Sequence, residues 1–278
     1  GQMKYVRIEF AGIAFETDKE INGLTFGGVG SATQVDYVQV SYSGDDSFEW
    51  FGGTVNAKHL ISYRGLDDDF DTDNGFSGMV QYGLIIRDPS VADQAGDSNA
   101  FESDNDASGS EATPKTSAKF ANITATVAAG ELSSKYRAAA RLRRSTELSI
   151  YNSVFTAAYP KGIELQDKAA DNYKAGKLKL EGIILQGALA PFSGVDQTIF
   201  DAAANKNKVF ATVADLMLDA TFNSISTRPV LVPKGGSPLL SGGATLPAGF
   251  DATAYRGAFG AIDWTTGWAN FDPQNTTY

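Results

Sequence analysis

Alternating apolar and polar positions recur along this chain as a short strand-like phrase. It stands at Tyr5-Val6-Arg7-Ile8, Tyr37-Val38-Gln39-Val40, His59-Leu60-Ile61-Ser62 and Tyr82-Gly83-Leu84-Ile85. Looser copies follow at Asn122-Ile123-Thr124-Ala125, Asn152-Ser153-Val154-Phe155 and Gly182-Ile183-Ile184-Leu185. A second phrase, apolar–charged–variable, comes eleven residues after Tyr37, His59 and Asn152, as Phe48-Glu49-Trp50, Phe70-Asp71-Thr72 and Ile163-Glu164-Leu165. Longer turns lead from Tyr82 to Phe101-Glu102-Ser103 and from Asn122 to Leu142-Arg143-Arg144. A period of two turns the apolar residue of each phrase inward and the charge outward. Gly and Asp turns, such as Gly65-Leu66-Asp67-Asp68 and Asp73-Asn74-Gly75, separate the phrases.

Copies spaced 22 to 40 residues apart, mostly without a helix-length crossover, predict an all-β fold: a parallel β-helix, or solenoid, of variable turns. One coil cannot bury its own inner face, so neighbours stack at roughly 4.8 Å and share a core. A β-sandwich is the competing fold, and the repeat register favours the solenoid. Residues 1–188 read as coils. Past Gly187 the repeats fade, and 189–278 reads as the last coils and a closing C-terminal cap. Short helices fit Asp196 to Ala203 and Val213 to Phe222.

Composition narrows the chemistry. The 278 residues include no Cys and one His, which removes thiol nucleophiles, thiolate metal sites and multi-His centres. No run reaches the roughly 18 apolar residues of a membrane span. The net charge of −10 repels phosphate backbones and argues against nucleic acid. That charge is localised: Ser43 to Asp106 carries 14 acids against Lys58, Arg64 and Arg87. The decapeptide Lys135 to Arg144 holds five bases and no acid.

Stacking the phrases creates ladders. One outward row reads Glu49, Asp71, Glu102, Arg143, Glu164, with carboxylates about 5 Å apart that repel unless screened. Arg143 relieves the Glu102–Glu164 end, and the Glu49–Asp71 end lacks a base. Turn acids crowd beside it, so Asp45, Asp46, Asp67, Asp68, Asp69 and Asp71 form a candidate site for Ca2+, a hard cation that takes oxygen ligands. The run Asp69-x-Asp71-x-Asp73 is a poor calcium loop: Gly75 falls one position late, and Val80 stands where the closing Glu belongs. A second outward row, Tyr5, Tyr37, His59 and Tyr82, then Asn122 and Asn152, offers a stacking platform for sugars or a partner. His59 continues this row and is not expected to be catalytic. No phosphate loop, dinucleotide fingerprint, zincin helix or nucleophile elbow is present.

Three stretches are distinctive. They are Tyr5-Val6-Arg7-Ile8-Glu9-Phe10-Ala11-Gly12, Asn22 to Gly30, and Asp36 to Val40 with Asp45 to Thr54. Together with Tyr255 to Gly260 and Trp268 to Asn275, the chain resembles secreted or surface-lipoprotein β-helix proteins of Bacteroidota-type bacteria. The resemblance implies a right-handed parallel β-helix displayed extracellularly or on the outer cell surface, and it carries over no catalytic residue. Relatives have an export signal and further coils before the first phrase. Here the chain opens at Gly1 almost on a strand, so N-terminal coils are expected to be missing. The expected function is a binding or structural component without catalysis, its partner a polysaccharide or another surface protein. Glu49, Asp71, Glu102, Tyr5, Tyr37, His59 and Tyr82 are the contact candidates. The alternatives are a polysaccharide lyase or glycoside hydrolase using the carboxylates, and end-to-end self-association into a filament through the uncapped first coil.

Overall fold

A computed structural model describes residues 1–12, 21–156 and 158–278. The first coils are β1 (Gln2–Glu9), β2 (Leu24–Gly27), β3 (Gln34–Ser41), β4 (Phe48–Phe51), β5 (Asn56–Tyr63), β6 (Phe70–Asp73), β7 (Met79–Arg87) and β8 (Phe101–Ser103). The middle coils follow as β9 (Lys119–Val127), β10 (Ala138–Leu142), β11 (Ser149–Tyr151), β12 (Val154–Thr156) and β13 (Lys161–Leu165). After α1 (Lys168–Lys174) come β14 (Leu180–Glu181), β15 (Ile184–Gln186), β16 (Ala190–Ser193), α2 (Gln197–Phe200) and β17 (Lys208–Phe210).

Among the described residues every strand pair is parallel. The short strands β2, β4, β6, β8, β10, β13 and β16 stack into a seven-stranded sheet, and the remaining strands form a ten-stranded one. This is the parallel β-helix that the phrases predict. Between the sheets the inward rings of Phe48, Trp50, Phe70, Phe101 and Phe120 are fully buried. They pack in tilted contacts, with Phe70 5.4 Å from Phe101 and Phe101 5.1 Å from Phe120. At the β16–β17 end the tail of α2 buries Phe200 against Phe192, at 4.6 Å.

The long strands bend at one residue each. Tyr5, Tyr37, His59, Tyr82 and Asn122 have φ between 52° and 65°, and the pairing skips them: Lys4 pairs with Asp36, then Val6 with Val38. Asn152 (φ 43°) and Gly182 (φ 73°) continue this line, at the breaks between β11 and β12 and between β14 and β15. Left-handed backbone is costly for side chains with a Cβ. In return, each bend folds its strand into two flats and gives the coil a third side.

The segment beyond Arg228 packs against the side of the solenoid. It lies along the flank of the coils, over the line of bends, and runs back towards β1. Three buried side-chain amides each grip its backbone twice. Asn152 donates to Ala244 O (2.9 Å) and accepts from Ala244 N (2.6 Å). Gln81 does the same with Asp251, at 2.9 Å both ways, and Gln39 with Asn270, at 2.5 and 2.9 Å. Asn122 donates to Tyr255 O and Gly257 O. Farther along, Arg7 donates to Trp268 O at 3.0 Å. The physical reason is polar satisfaction: these amides sit on buried faces and need partners, and the flanking strap supplies a backbone for each.

Gln81→Ala would leave both polar groups of Asp251 without this partner. The expected result is a loss of about 1–3 kcal/mol, read as a lower melting temperature with faster proteolysis within residues 244–270. Unchanged melting and cleavage would show that water replaces the clamp.

Candidate functional site

The outer face of the seven-stranded sheet carries the charge. Its central row, set by pairing, is Thr25, Glu49, Asp71, Glu102, Arg141, Glu164 and Ser193. The predicted row had Arg143 where Arg141 stands. The slip is two residues, so it preserves the in–out phase and is silent in the alternation. Small residues made it: Ala138, Ala139 and Ala140 fill the inward and pairing positions that larger apolar residues mark in earlier coils. Arg143 nevertheless reaches the row, pairing with Glu102 and with Asp104 at 2.8 Å.

The β10 half of the face is an ion-pair network. Arg141 meets Glu102 at 3.1 Å, Arg137 meets Glu164 and Asp97 at 2.6 Å each, and Arg144 meets Asp104 at 2.8 Å. The β4–β6 half is different. Carboxylate oxygens of Asp45, Asp46 and Asp67 lie within 4.8 Å of one another, as do those of Asp46, Glu49 and Asp71, so the two trios share Asp46. Among the described residues no basic side chain pairs with Asp46, Glu49, Asp67 or Asp71, and Glu49 accepts from the Asn22 amide.

Burial pushes the Glu49 carboxyl up to about 7, with Asp45, Asp73 and Glu102 adding to the rise and the Asn22 amide opposing it. Asp67 is likewise pushed to about 7, chiefly by burial and then by Asp93, and its Oδ1 is buried without a partner. Burial, reinforced by neighbouring carboxylates, raises Asp46 and Asp71 well above the usual carboxylate range. Such a cluster either holds protons or holds a cation. All the donors are hard oxygens, and the single imidazole, His59, lies elsewhere, so the residues fit Ca2+ and not a softer metal.

Two predicted ligands leave the site. Asp69 points into the interior, where it is fully buried against Arg87 at 2.9 Å and takes a hydrogen bond from Ser62. Asp68 stands outside both trios, because its Oδ1 accepts from Asn99 N (2.6 Å) and Asn99 Nδ2 (3.0 Å). It is the middle rung of a coil-to-coil ladder in which Asp46 Oδ1 accepts from Asp68 N (2.9 Å) and Asn99 Oδ1 from Ala138 N (3.1 Å). Asp45, Asp46, Asp67 and Asp71 stay together, and Glu49 joins them. The alignment of Phe48 with Phe70 and Phe101 held the signal for this ladder, since it places Asp46, Asp68 and Asn99 two residues before each ring.

The aromatic row is continuous and partly covered. Tyr5 stacks on Tyr37 (4.6 Å), Tyr37 on His59 (4.2 Å) and His59 on Tyr82 (4.8 Å). The strap sets Trp268 edge-on to Tyr37 at 5.6 Å and Trp264 edge-on to His59 at 5.1 Å, and Tyr82 is buried. His59 Nδ1 lies 2.8 Å from Asp36. Tyr5 alone of the four is exposed, at 63%. From Tyr37 to Tyr82 the row packs as a seam under the strap, while Asn122 and Asn152 in the same row grip it.

Residues 1–226 match a family model described as a pectate-lyase-like β-helix domain. No curated protein and no solved structure matches the chain.

Proposed function

Because the chain belongs to the pectate-lyase-like β-helix domain family, we propose that it is a Ca2+-dependent binder of acidic polysaccharide, using the outer face of the seven-stranded sheet. The observation that carries this reading is the convergence of Asp46, Glu49 and Asp71 within 4.8 Å, with no pairing base among the described residues. Ca2+ takes six to eight oxygens, so three carboxylates leave coordination positions for water and for the carboxylate of a bound chain. The Arg141 and Arg143 guanidiniums, two coils beyond Asp71, extend the face with donors suited to further sugar carboxylates. The matching setting is extracellular or the outer cell surface, where Ca2+ reaches the ~10⁻⁴–10⁻³ M that modules of modest affinity require.

The test is retention on polygalacturonate with the chelator-stripped protein, with and without added Ca2+. Binding is expected only with Ca2+ and is expected to fall at least tenfold in Asp71→Asn. Equal retention in chelator, or an unaffected Asp71→Asn variant, would overturn the reading.

A second reading rests on the closeness of Glu49 and Asp71. Adjacent carboxylates, one retaining its proton near neutrality, are the equipment of a glycosidic acid–base pair. Incubation with acidic and neutral polysaccharides separates the two. New reducing ends or unsaturated products, lost in Glu49→Gln, mean turnover; none means binding alone.

A further inference from the structure

The outer face of the seven-stranded sheet carries a second row, two residues along from Glu49 and Asp71. Its first rungs, set by pairing, are Gly27, Phe51 and Asp73. A period of two puts them on the same side as Glu49 and Asp71. In β4 the rings of Phe48 and Trp50 are fully buried, while Phe51 is 37% exposed on the charged face.

Gly27, the neighbour of that ring, has no local reason to be glycine. Its φ lies outside the left-handed region, unlike that of Gly28 (φ 61°), which turns the chain. It pairs in register with Phe51, so the strand has no bulge there. A Cβ built on Gly27 would meet nothing within 4 Å among the described residues. A glycine in a strand costs stability, and its remaining use is to let another molecule come close. Thr25, Gly27 and Gly28 are all exposed, which leaves an open floor beside the Phe51 ring.

Charge decides what that floor accepts. The strands β2, β4, β6 and β8 carry no base, and Asp73 borders Phe51 on the side away from Gly27. A sugar carboxylate placed here would meet like charge. An uncharged pyranose ring would instead lay its apolar face on the phenyl ring. Coil by coil, the face runs from this apolar floor through the cation trio to the guanidiniums of Arg141 and Arg143. Four coil steps make that run roughly 19 Å.

We infer that Gly27 and Phe51 form a stacking subsite for a neutral sugar ring, which makes the ligand a polysaccharide of mixed neutral and acidic residues. The subsite rests on the Ca2+-dependent binding proposed above, and it sorts chains by the residue next to the bound carboxylate.

The experiment is calorimetric titration of the chelator-stripped whole protein, with Ca2+ added back, against two polymers. One is polygalacturonate, and the other is the same polymer with half of its carboxyls reduced to alcohols. The half-reduced polymer is expected to bind at least threefold more tightly. Phe51→Ala and Gly27→Val are each expected to lose at least tenfold in affinity for it while binding Ca2+ as wild type does. Gly27→Val should keep the wild-type melting temperature, because a β-branched side chain suits an open strand position beside a ring. Its loss of binding then reports the filled floor and not a fold defect. Equal or tighter binding of the fully charged polymer, or unchanged binding in either variant, overturns the subsite and leaves the cation site standing. If neither polymer binds with Ca2+, the cation site falls and the subsite falls with it.

Discussion

Asp69→Ala is expected to destabilise the protein by about 3–5 kcal/mol, the cost of leaving a buried charge without its partner. Arg87 and Asp69 are both fully buried, and their contact is 2.9 Å. The guanidinium also donates to Asn99 O (2.7 Å), Leu66 O (3.1 Å), Gly65 O (3.3 Å) and Tyr136 Oη (3.1 Å), and it lies over the Tyr136 ring at 4.9 Å. It therefore ties the Gly65–Asp69 turn to the next coils, directly beneath the acidic trios. Without Asp69 the hydrogen bonds remain, but the charge loses its paired carboxylate. Pairing Asp69→Leu with Arg87→Met should recover much of the loss, because desolvation of the pair and its attraction largely offset each other. The readout is the urea midpoint of the three proteins. A midpoint for Asp69→Ala equal to wild type would show that the pair is not desolvated.

The second large effect is a stability that runs against the usual acid profile. In chelator, the melting temperature is expected to rise as pH falls from about 7 towards about 5. Glu49 and Asp67 titrate near 7 when folded and at ordinary carboxylate values when unfolded, so in this window the folded chain binds more protons. Stability must then fall as pH rises. Glu49 alone contributes on the order of 3 kcal/mol across the full interval. Carboxylates with lowered values, such as Asp88 and Glu164, act below their ordinary range and leave this window unaffected. Saturating Ca2+ should reverse the slope, since the cation needs the deprotonated trio. Glu49→Gln should flatten the slope in chelator. A slope of the opposite sign in chelator would mean that the trio is ionised and screened by water.

The β-helix was legible because each coil repeats one inward–outward alternation, and stacking multiplies a weak local pattern. The same stacking made Glu49, Asp71 and Glu102 readable as neighbours. It could not separate Arg141 from Arg143, which share a phase, nor show that Asp69 turns inward beside two acids of equal chemistry. Its partner Arg87 closes the apolar run Gly83 to Ile86, and a base in that position was the available clue to a buried counterion. The course of the strap was hidden for another reason. It has no periodicity, and what holds it are the side-chain amides of Gln39, Gln81, Asn122 and Asn152, whose partners lie 92 to 231 residues away.

A solenoid whose units touch only their neighbours unravels piecemeal, each coil opening with its own probability. Here Tyr278 bonds to Glu9, 269 positions away, and Gly257 to Asn152. The strap thus couples coils that share no interface, and this chain should unfold in one concerted step. The coupling also slows assembly, since the loop it closes is nearly the length of the chain and forms only after every coil that it crosses is in place.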